Sequence, residues 1–149
     1  MEHQDAEHSG GARRLDVSYK SELESVDSAE TAVLGMAKEI GFDEDDLHRI
    51  GIALREAMVN AVVHGNKYNA QKSVRLSAWD DGSALKIVIV DEGTGFEMAA
   101  VPDPLAEENL LRESGRGILL MQAFVDELQV RRLSPQGTEI TMVKYLAQR

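Results

Sequence analysis

The segment EAMVNAVVHG, residues 56–65, gives the strongest indication of how this chain folds and acts, because it places polar side chains at helical spacing in an apolar stretch. Glu56, Asn60 and His64 lie four residues apart, so a continuous helix over residues 45–64 carries them in one polar line. Burying a carboxylate or an amide without partners is costly, so this line must face polar groups. The pattern predicts either a ligand cavity or the solvated face of an ordinary amphipathic helix.

A second polar segment, DEGTGF at residues 91–96, follows an apolar run that is typical of a central strand. Asp91 ends that strand, and Gly93 and Gly95 let the backbone turn with positive φ and approach a flat ligand closely. A carboxylate in this position can accept a hydrogen bond from the exocyclic amine of adenine. The same pattern also occurs where an ordinary strand leads into a loop.

A third segment, GRGI at residues 115–118, predicts the start of a helix. The free N–H groups and the dipole of a helix N-terminus bind phosphate, and Gly115 and Gly117 permit close approach. Arg116 either adds positive charge to the phosphates or faces solvent. Each segment alone also has a purely structural explanation, but the three in this order predict a nucleotide site.

Two of the polar side chains suit the chemistry of phosphate transfer. Asn60 offers a neutral oxygen to a hard cation such as Mg²⁺, which keeps few protein ligands. Glu56, one helical turn earlier, can accept a proton from an attacking hydroxyl or water. An acidic protein can bind ATP when Mg²⁺ and backbone N–H groups supply the local positive charge.

Hydrophobic periodicity predicts the elements that connect these segments. Alternation predicts strands at residues 14–20, 73–79, 84–91, 127–133 and 138–145. Helical spacing predicts helices at residues 25–40, 45–64 and 116–124. The long segment 92–114 contains two prolines and is typical of a functional or mobile lid. This order predicts an α+β fold: a two-layer sandwich with a mostly antiparallel sheet and helices on one face.

The composition limits the class of protein. The chain has 149 residues, enough for one domain, which we expect at residues 13–149 after a disordered arm at residues 1–12. With a net charge of −10 and no long basic cluster, direct binding of nucleic acid is not expected. No apolar run is long enough for a membrane helix, residues 1–11 do not resemble a secretory signal, and cysteine is absent, so we expect a cytoplasmic protein.

The ordered set of motifs resembles the GHKL, or Bergerat-fold, ATPases, a superfamily that includes DNA gyrase and the sensor histidine kinases. The similarity covers residues 15–145. Residues 56–65 resemble the N box, residues 91–96 the first glycine box and residues 115–117 the second, and Gly137-Thr138 matches a later Gly-Thr pair. Within the superfamily the chain most resembles the small bacterial anti-sigma factor serine/threonine kinases, whose N box has the form Glu-Ala-x-x-Asn-Ala-x-x-His-Gly.

The resemblance implies a role for each matching residue. Glu56 would be the general base, Asn60 the Mg²⁺ ligand and Asp91 the reader of adenine. The other nucleotide-binding residues that the match implies are His64, Gly65, Gly93, Gly95, Phe96, Gly115, Arg116, Gly117, Ile118 and Thr138.

The resemblance also implies a function, cofactors and partners. The chain would be an ATP-dependent serine/threonine protein kinase that uses ATP and Mg²⁺ to phosphorylate a small anti-anti-sigma protein. As an anti-sigma factor in bacterial partner switching it would sequester a sigma factor or another regulator, and homodimerisation is expected. The alternative is a nucleotide-gated protein-binding regulator without kinase activity, whose lid orders around ATP and reshapes a partner surface.

Overall fold

Five strands form a single antiparallel sheet within residues 13–67, 69, 71–93 and 113–147, which are the residues that the structure, a computed structural model, describes. The strands are β1 (Arg14–Lys20), β2 (Ser73–Asp80), β3 (Ala84–Asp91), β4 (Glu127–Arg132) and β5 (Thr138–Tyr145). The helices are α1 (Glu24–Ile40), α2 (Glu44–Val59) and α3 (Glu113–Phe124), and a π-helical segment (Asn60–Gly65) follows α2. The predicted α+β fold is confirmed.

The sheet has the strand order β1-β2-β3-β5-β4, so β3 is the central strand, as its apolar sequence predicts. Leu85, Ile87 and Ile89 of β3 are buried on the face that packs against the helices. Lys86 and Val88, on the opposite face, are only half-buried. The described part of the molecule therefore has two layers, with helices on one side of the sheet.

Gly41 and Asp43 shape the turn that joins α1 to α2. Gly41 ends α1 with a φ of 116°, and its N–H donates to the carbonyl oxygens of Ala37 and Lys38. Asp43 then caps α2, because its carboxylate accepts a hydrogen bond from the N–H of Asp46 at 2.9 Å. The short connection makes the two helices antiparallel neighbours.

The end of α2 differs from the prediction of one regular helix over residues 45–64. The α-helix ends at Val59, and the π-helical segment that follows is closed by a hydrogen bond from Asn66 N–H to the carbonyl oxygen of Ala61 at 2.8 Å. A π-helix has i→i+5 hydrogen bonds, so its residues follow a different angular spacing. The prediction of one regular α-helix through His64 is therefore wrong from Asn60 onwards, and the His64 side chain lies outside the described residues, so its place in the polar line stays a prediction.

Helix α3 begins at Glu113, three residues before the predicted start at Arg116. Residues 113–116 form its first turn, whose N–H groups have no helical carbonyl partner, and Gly117 lies in the second turn. Most of the predicted lid, residues 94–112, and the predicted arm, residues 1–12, lie outside the described residues.

The hydrophobic core lies between the sheet and the helices. Its largest fully buried side chains come from both layers, and they are Val26, Val33, Ile50, Leu54, Met58, Leu76, Leu85, Ile87, Ile89, Ile118, Met121 and Met142. Helix α2 contributes Ile50, Leu54 and Met58, and it packs against both α1 and α3. The position of every polar residue on α2 depends on this packing.

Replacing Leu54 by Ala tests the role of α2 in the core. Leu54 is 0% exposed, so Leu54→Ala should lower the free energy of unfolding by about 2–5 kcal/mol through lost burial and the cavity left behind. The matched control is Leu119→Ala, which removes the same atoms from a side chain that is 48% exposed and should change stability by about 0.5 kcal/mol or less. Urea denaturation measures both, and equal effects would contradict this description of the core.

Candidate functional site

One end of the sheet gathers the polar residues of the DEGTGF segment. Asp91, the last residue of β3, pairs with Thr138, the first residue of β5. Asp91 follows Ile87 and Ile89 on the helix-facing side of the sheet and is only 5% exposed. Its carboxylate accepts a hydrogen bond from the backbone N–H of Gly93 at 2.9 Å, and the backbone N–H of Thr138 lies close enough to lower the pKa of Asp91. Asp91 therefore ends the strand and faces the interior of the domain, as predicted.

The electrostatic environment of Asp91 is unfavourable for a free carboxylate. Burial raises the pKa of Asp91 above its ordinary value, because it disfavours the charged form. The two N–H donors and the positive charge of Lys72 partly offset this rise, whereas the negative charge of Glu92 adds to it. The carboxylate is therefore suited to accept one more hydrogen bond from a ligand donor.

Glycines surround Asp91 because the backbone approaches it on several sides. A methyl group on Gly65 would overlap the Asp91 carboxylate, and one on Gly93 would overlap the carbonyl of Gly65. Gly137 has a φ of 112°, and a methyl group there would lie 2.6 Å from the carbonyl oxygen of Asp91. Only residues without a Cβ allow these elements to meet at the carboxylate.

A second cluster forms where α3 packs against α2. A methyl group on Gly117 would lie 3.2 Å from Glu56 Oε1 and 3.3 Å from Asn60 Nδ2, so the backbone of α3 passes close to both side chains. Asn60 is 8% exposed, and Glu56 is half-buried. The structure thus brings together the predicted general base, the predicted metal ligand and a glycine of the predicted phosphate-binding segment.

The π-helical segment joins the two clusters. Asn60 is its first residue and lies beside Glu56 and Gly117, and Gly65 is its last residue and lies against Asp91. Both clusters are therefore held by one continuous stretch of six residues. A ligand that contacts Asp91 at one end and Asn60 at the other would lie along this segment.

Two buried polar atoms in these clusters lack hydrogen-bond partners among the described residues. They are Nδ2 of Asn60 and Oγ1 of Thr138. Buried polar atoms are normally paired, so an unpaired one in a native protein calls for a partner from outside the chain. One unpaired atom in each cluster supports a ligand with polar groups at both ends.

The donor set suits Mg²⁺ better than a transition metal. Among residues 13–67, 69, 71–93 and 113–147, no three His, Cys, Asp or Glu side chains are grouped to hold a metal ion. Mg²⁺ takes most of its ligands from water and phosphates and needs only one or two protein oxygens. The buried carboxamide of Asn60, beside the carboxylate of Glu56, fits that requirement.

Several predicted site residues are only partly placed or lie outside the described part of the chain. The described structure does not include Gly95 and Phe96, or the side chains of His64 and Arg116, although the backbone of Gly115 lies in the first turn of α3. Ile118 is 1% exposed and belongs to the core. Its predicted contact with nucleotide stays a prediction.

Sequence reasoning missed Asn66, which is 1% exposed and directly follows the π-helical segment. Its Nδ2 donates to the carbonyl oxygen of Ser73 at 2.9 Å, and its Oδ1 accepts from the N–H of Glu92 at 2.8 Å. Gln136 adds a third contact at this point, because its Nε2 donates to the carbonyl oxygen of Glu92 at 2.9 Å. The only available signal was a polar residue immediately after the His-Gly pair.

The fold and the two clusters define a histidine kinase-like ATPase domain. The model of that family matches residues 19–144, which is most of the chain, and the chain belongs to this family. The predicted superfamily is therefore confirmed.

Named relatives give a more specific comparison than the family does. The chain is 29% identical over 134 residues to an anti-sigma F factor of Thermoanaerobacter sp. (strain X514), covering 89% of this chain and 93% of that protein. It is 29% identical over 140 residues to the serine-protein kinase RsbW of Bacillus subtilis (strain 168), with coverages of 89% and 85%. The serine-protein kinase RsbW of Staphylococcus epidermidis is 30% identical over 141 residues, with coverages of 89% and 86%. These names confirm the predicted resemblance to anti-sigma factor kinases.

A solved structure supports the fold. The crystal structure of the RsbU and RsbW domains of a Mycobacterium tuberculosis protein matches with a TM-score of 0.63 and 19% sequence identity. The match covers 91% of this chain and 33% of that longer chain. Among the described residues of this protein, no helix is long and apolar enough to cross a membrane.

The substitution Asp91→Asn tests whether the buried Asp91 carboxylate lowers the free energy of unfolding. Because the folded-state pKa of Asp91 lies above its ordinary value of 3.8, the folded protein holds the proton more tightly than the unfolded chain. Stability therefore falls as the pH rises from 3.8 through the raised folded-state value, and the cost persists at higher pH. Asp91→Asn should raise stability at pH 7 and match the wild type well below pH 3.8, where the carboxyl is neutral in both the folded and the unfolded state.

Urea denaturation over a range of pH measures this difference. Asp45→Asn, at an exposed position in the first turn of α2, is the control and should not stabilise the protein at pH 7. A variant Asp91→Asn that is less stable than the wild type at pH 7 would show that the carboxylate is not penalised in the fold.

Proposed function

We propose that this chain is an ATP-dependent serine/threonine protein kinase that acts as an anti-sigma factor and phosphorylates a small anti-anti-sigma protein. The observation that carries the proposal is the π-helical segment, which places Asn60 beside Glu56 at one end and Gly65 against Asp91 at the other. A nucleotide lying along this segment would have its base at Asp91 and its phosphates near Asn60.

The Asp91 cluster would bind adenine. Its carboxylate accepts a hydrogen bond from the exocyclic amine, and a charged acceptor makes such a bond stronger than a neutral one. Thr138 Oγ1, buried and unpaired among the described residues, offers a second polar contact. Gly65 and Gly93 let the backbone pack closely around the Asp91 carboxylate.

The Asn60 cluster would bind the phosphates. The N–H groups in the first turn of α3, residues 113–116, have no helical partners and suit an anion, and Arg116 would add charge. Gly117 allows this helix to approach Glu56 and Asn60 closely. Asn60 would hold Mg²⁺, which would neutralise charge on the phosphates during transfer.

Glu56 would act as the general base. In the transfer, the γ-phosphorus bonds to the hydroxyl oxygen of a serine or threonine, its bond to the bridging oxygen breaks, and ADP leaves. The proton of the attacking hydroxyl passes to the Glu56 carboxylate. Glu56 is half-buried beside Gly117, which supports a position at the phosphate end of the proposed site and not at the adenine end.

The relatives support the choice of substrate and client. The proteins at 29–30% identity are named anti-sigma F factor and serine-protein kinase RsbW, and the match covers nearly their whole length. A sigma factor or another transcriptional regulator is the proposed client. Homodimerisation and a cytoplasmic location stay predictions.

Glu56→Gln tests the catalytic role. The variant should bind ATP as the wild type does, but transfer to a serine of an anti-anti-sigma protein from the same genome should slow by about 10²–10⁴-fold because the general base is lost. Calorimetry measures ATP binding, and radiolabelled phosphate measures transfer. The control is Glu39→Gln on α1, whose carboxylate is 69% exposed and which should keep full transfer.

The outcomes separate the two functions that the sequence allows. Transfer at the wild-type rate by Glu56→Gln would remove Glu56 as the base. ATP binding by the wild type without transfer to anti-anti-sigma proteins would instead favour a nucleotide-gated binding regulator. No ATP binding by the wild type would contradict both.

Asn60→Ala tests the metal site. The wild type should bind ATP more tightly with Mg²⁺ than with a chelator, and Asn60→Ala should reduce that difference at least about tenfold because a protein ligand is lost. Calorimetric titration with ATP under both conditions measures the difference. Asn69→Ala, an exposed asparagine after the π-helical segment, is the control and should keep the full effect of Mg²⁺. An unchanged difference in Asn60→Ala would assign the metal to other groups.

A further inference from the structure

We propose that Asn66 is a positioning residue for adenine recognition. Its side-chain amide joins the end of the π-helical segment to Ser73, where β2 begins, and to Glu92, which follows Asp91 at the end of β3. This inference rests on the proposed nucleotide site and identifies a residue that would control its specificity. Asn66 itself need not touch the nucleotide.

Three of the hydrogen bonds of Asn66 reach three different parts of the fold. Its backbone N–H donates to Ala61 and closes the π-helical segment, at 2.8 Å. Its Nδ2 donates to the carbonyl oxygen of Ser73, the first residue of β2, at 2.9 Å. Its Oδ1 accepts from the N–H of Glu92, the residue after β3, at 2.8 Å. Each polar function of this side chain is used, and the residue is 1% exposed.

These bonds bear directly on Asp91. Glu92 is the next residue in the chain, and its position is set by the Asn66 amide on its N–H, by Gln136 on its carbonyl oxygen, and by a bond from Ser73 N–H to its carboxylate at 2.9 Å. On the other side, Asn66 follows Gly65, whose backbone lies against the Asp91 carboxylate. Asn66 therefore fixes both the strand that carries Asp91 and the segment that Asp91 faces.

Asparagine is suited to this position by its chemistry. The two contacts need one donor and one acceptor on the same short planar group, which an amide supplies. An aspartate would place a buried carboxylate next to the Ser73 carbonyl oxygen and near Asp91, where like charges repel. A serine has a shorter side chain with a single oxygen, so it could not contact both the Ser73 carbonyl oxygen and the Glu92 N–H.

The test uses the affinities for ADP and inosine diphosphate, which lacks the exocyclic amine. The wild type should bind ADP about 10–100-fold more tightly, because the hydrogen bond from the amine to a charged acceptor is lost with inosine. Asn66→Ala should lower this ratio about tenfold, with a smaller change in the affinity for inosine diphosphate. A role in folding alone would change both affinities together and would leave the ratio intact.

Ser21→Ala is the matched control. Ser21 is 1% exposed, and its N–H donates to the carbonyl oxygen of Lys72, the residue before β2, so it lies near the same end of the sheet. Its hydroxyl has no partner among the described residues. Removing that hydroxyl should keep the wild-type ratio of affinities.

The outcomes distinguish this inference from the proposed function. A wild type that binds ADP and inosine diphosphate equally would contradict adenine recognition at Asp91. A wild type that discriminates, with the same ratio in folded Asn66→Ala, would overturn the role of Asn66 and leave the proposed function standing.

Hydrogen exchange on the wild-type protein decides the matter if Asn66→Ala does not fold. Glu92 is exposed and lies beyond the ladder of β3, so its amide should be protected by the Asn66 side chain. In the nucleotide-free protein, NMR should show exchange of the Glu92 amide at least about tenfold slower than in an unstructured peptide. Exchange at the peptide rate would overturn the proposal.

Discussion

The contact between the backbone of Gly65 and the carboxylate of Asp91 is the constraint on which the site depends. Gly65 ends the segment that continues α2, and Asp91 ends the central strand, so this contact joins the helical layer to the sheet at one place. The strand order puts β5 beside β3, and Thr138 therefore lies next to Asp91. Without a glycine at position 65 the two layers could not come this close, and Asp91 would be separated from the cluster around Asn60.

Among the described residues, buried polar and charged groups have partners at one end of the sheet, and some lack them at the other. At the end away from the site, the side chain of Lys144 is 12% exposed and lies 3.5 Å from Asp46 and 3.7 Å from Asp126, so its charge is compensated. At the site, Asp91 has a raised pKa, and Asn60 retains an unpaired donor among the described residues. Uncompensated groups cost stability and are retained where a ligand provides the missing partner. The difference between the ends supports the proposed position of the site without reference to any relative.

The sequence predicts those features that depend on local pattern. Alternation over residues 84–91 sets both the central strand and the position of Asp91, because a strand buried on one face has a period of two. Gly41 marks the end of α1, since it supplies the left-handed conformation that the turn requires. Each of these sequence patterns lies within a few residues of the structural feature that it predicts.

Features that depend on distant partners were missed. The change from α- to π-helix at Asn60 is not visible in the apolar spacing, which is similar on both sides of it. The hydrogen bonds that hold the end of this segment join the Asn66 side chain to Ser73 and to Glu92, which are 7 and 26 residues away in the chain. The start of α3 at Glu113 also lies outside the apolar spacing that predicted a start at Arg116.

The sheet face that no described helix covers carries the only tryptophan of the chain. Trp79 lies between Arg14, whose guanidinium is 4.8 Å from the ring centre, and Lys86, at 5.6 Å. It is six residues along β2 from Ser73, or roughly 20 Å from the end of that strand that lies beside Asp91. Its intrinsic fluorescence therefore reports on the open face of the sheet and is insulated from events at Asp91. The protein thus contains a natural optical probe that separates the docking of another macromolecule on this face from the binding of a nucleotide.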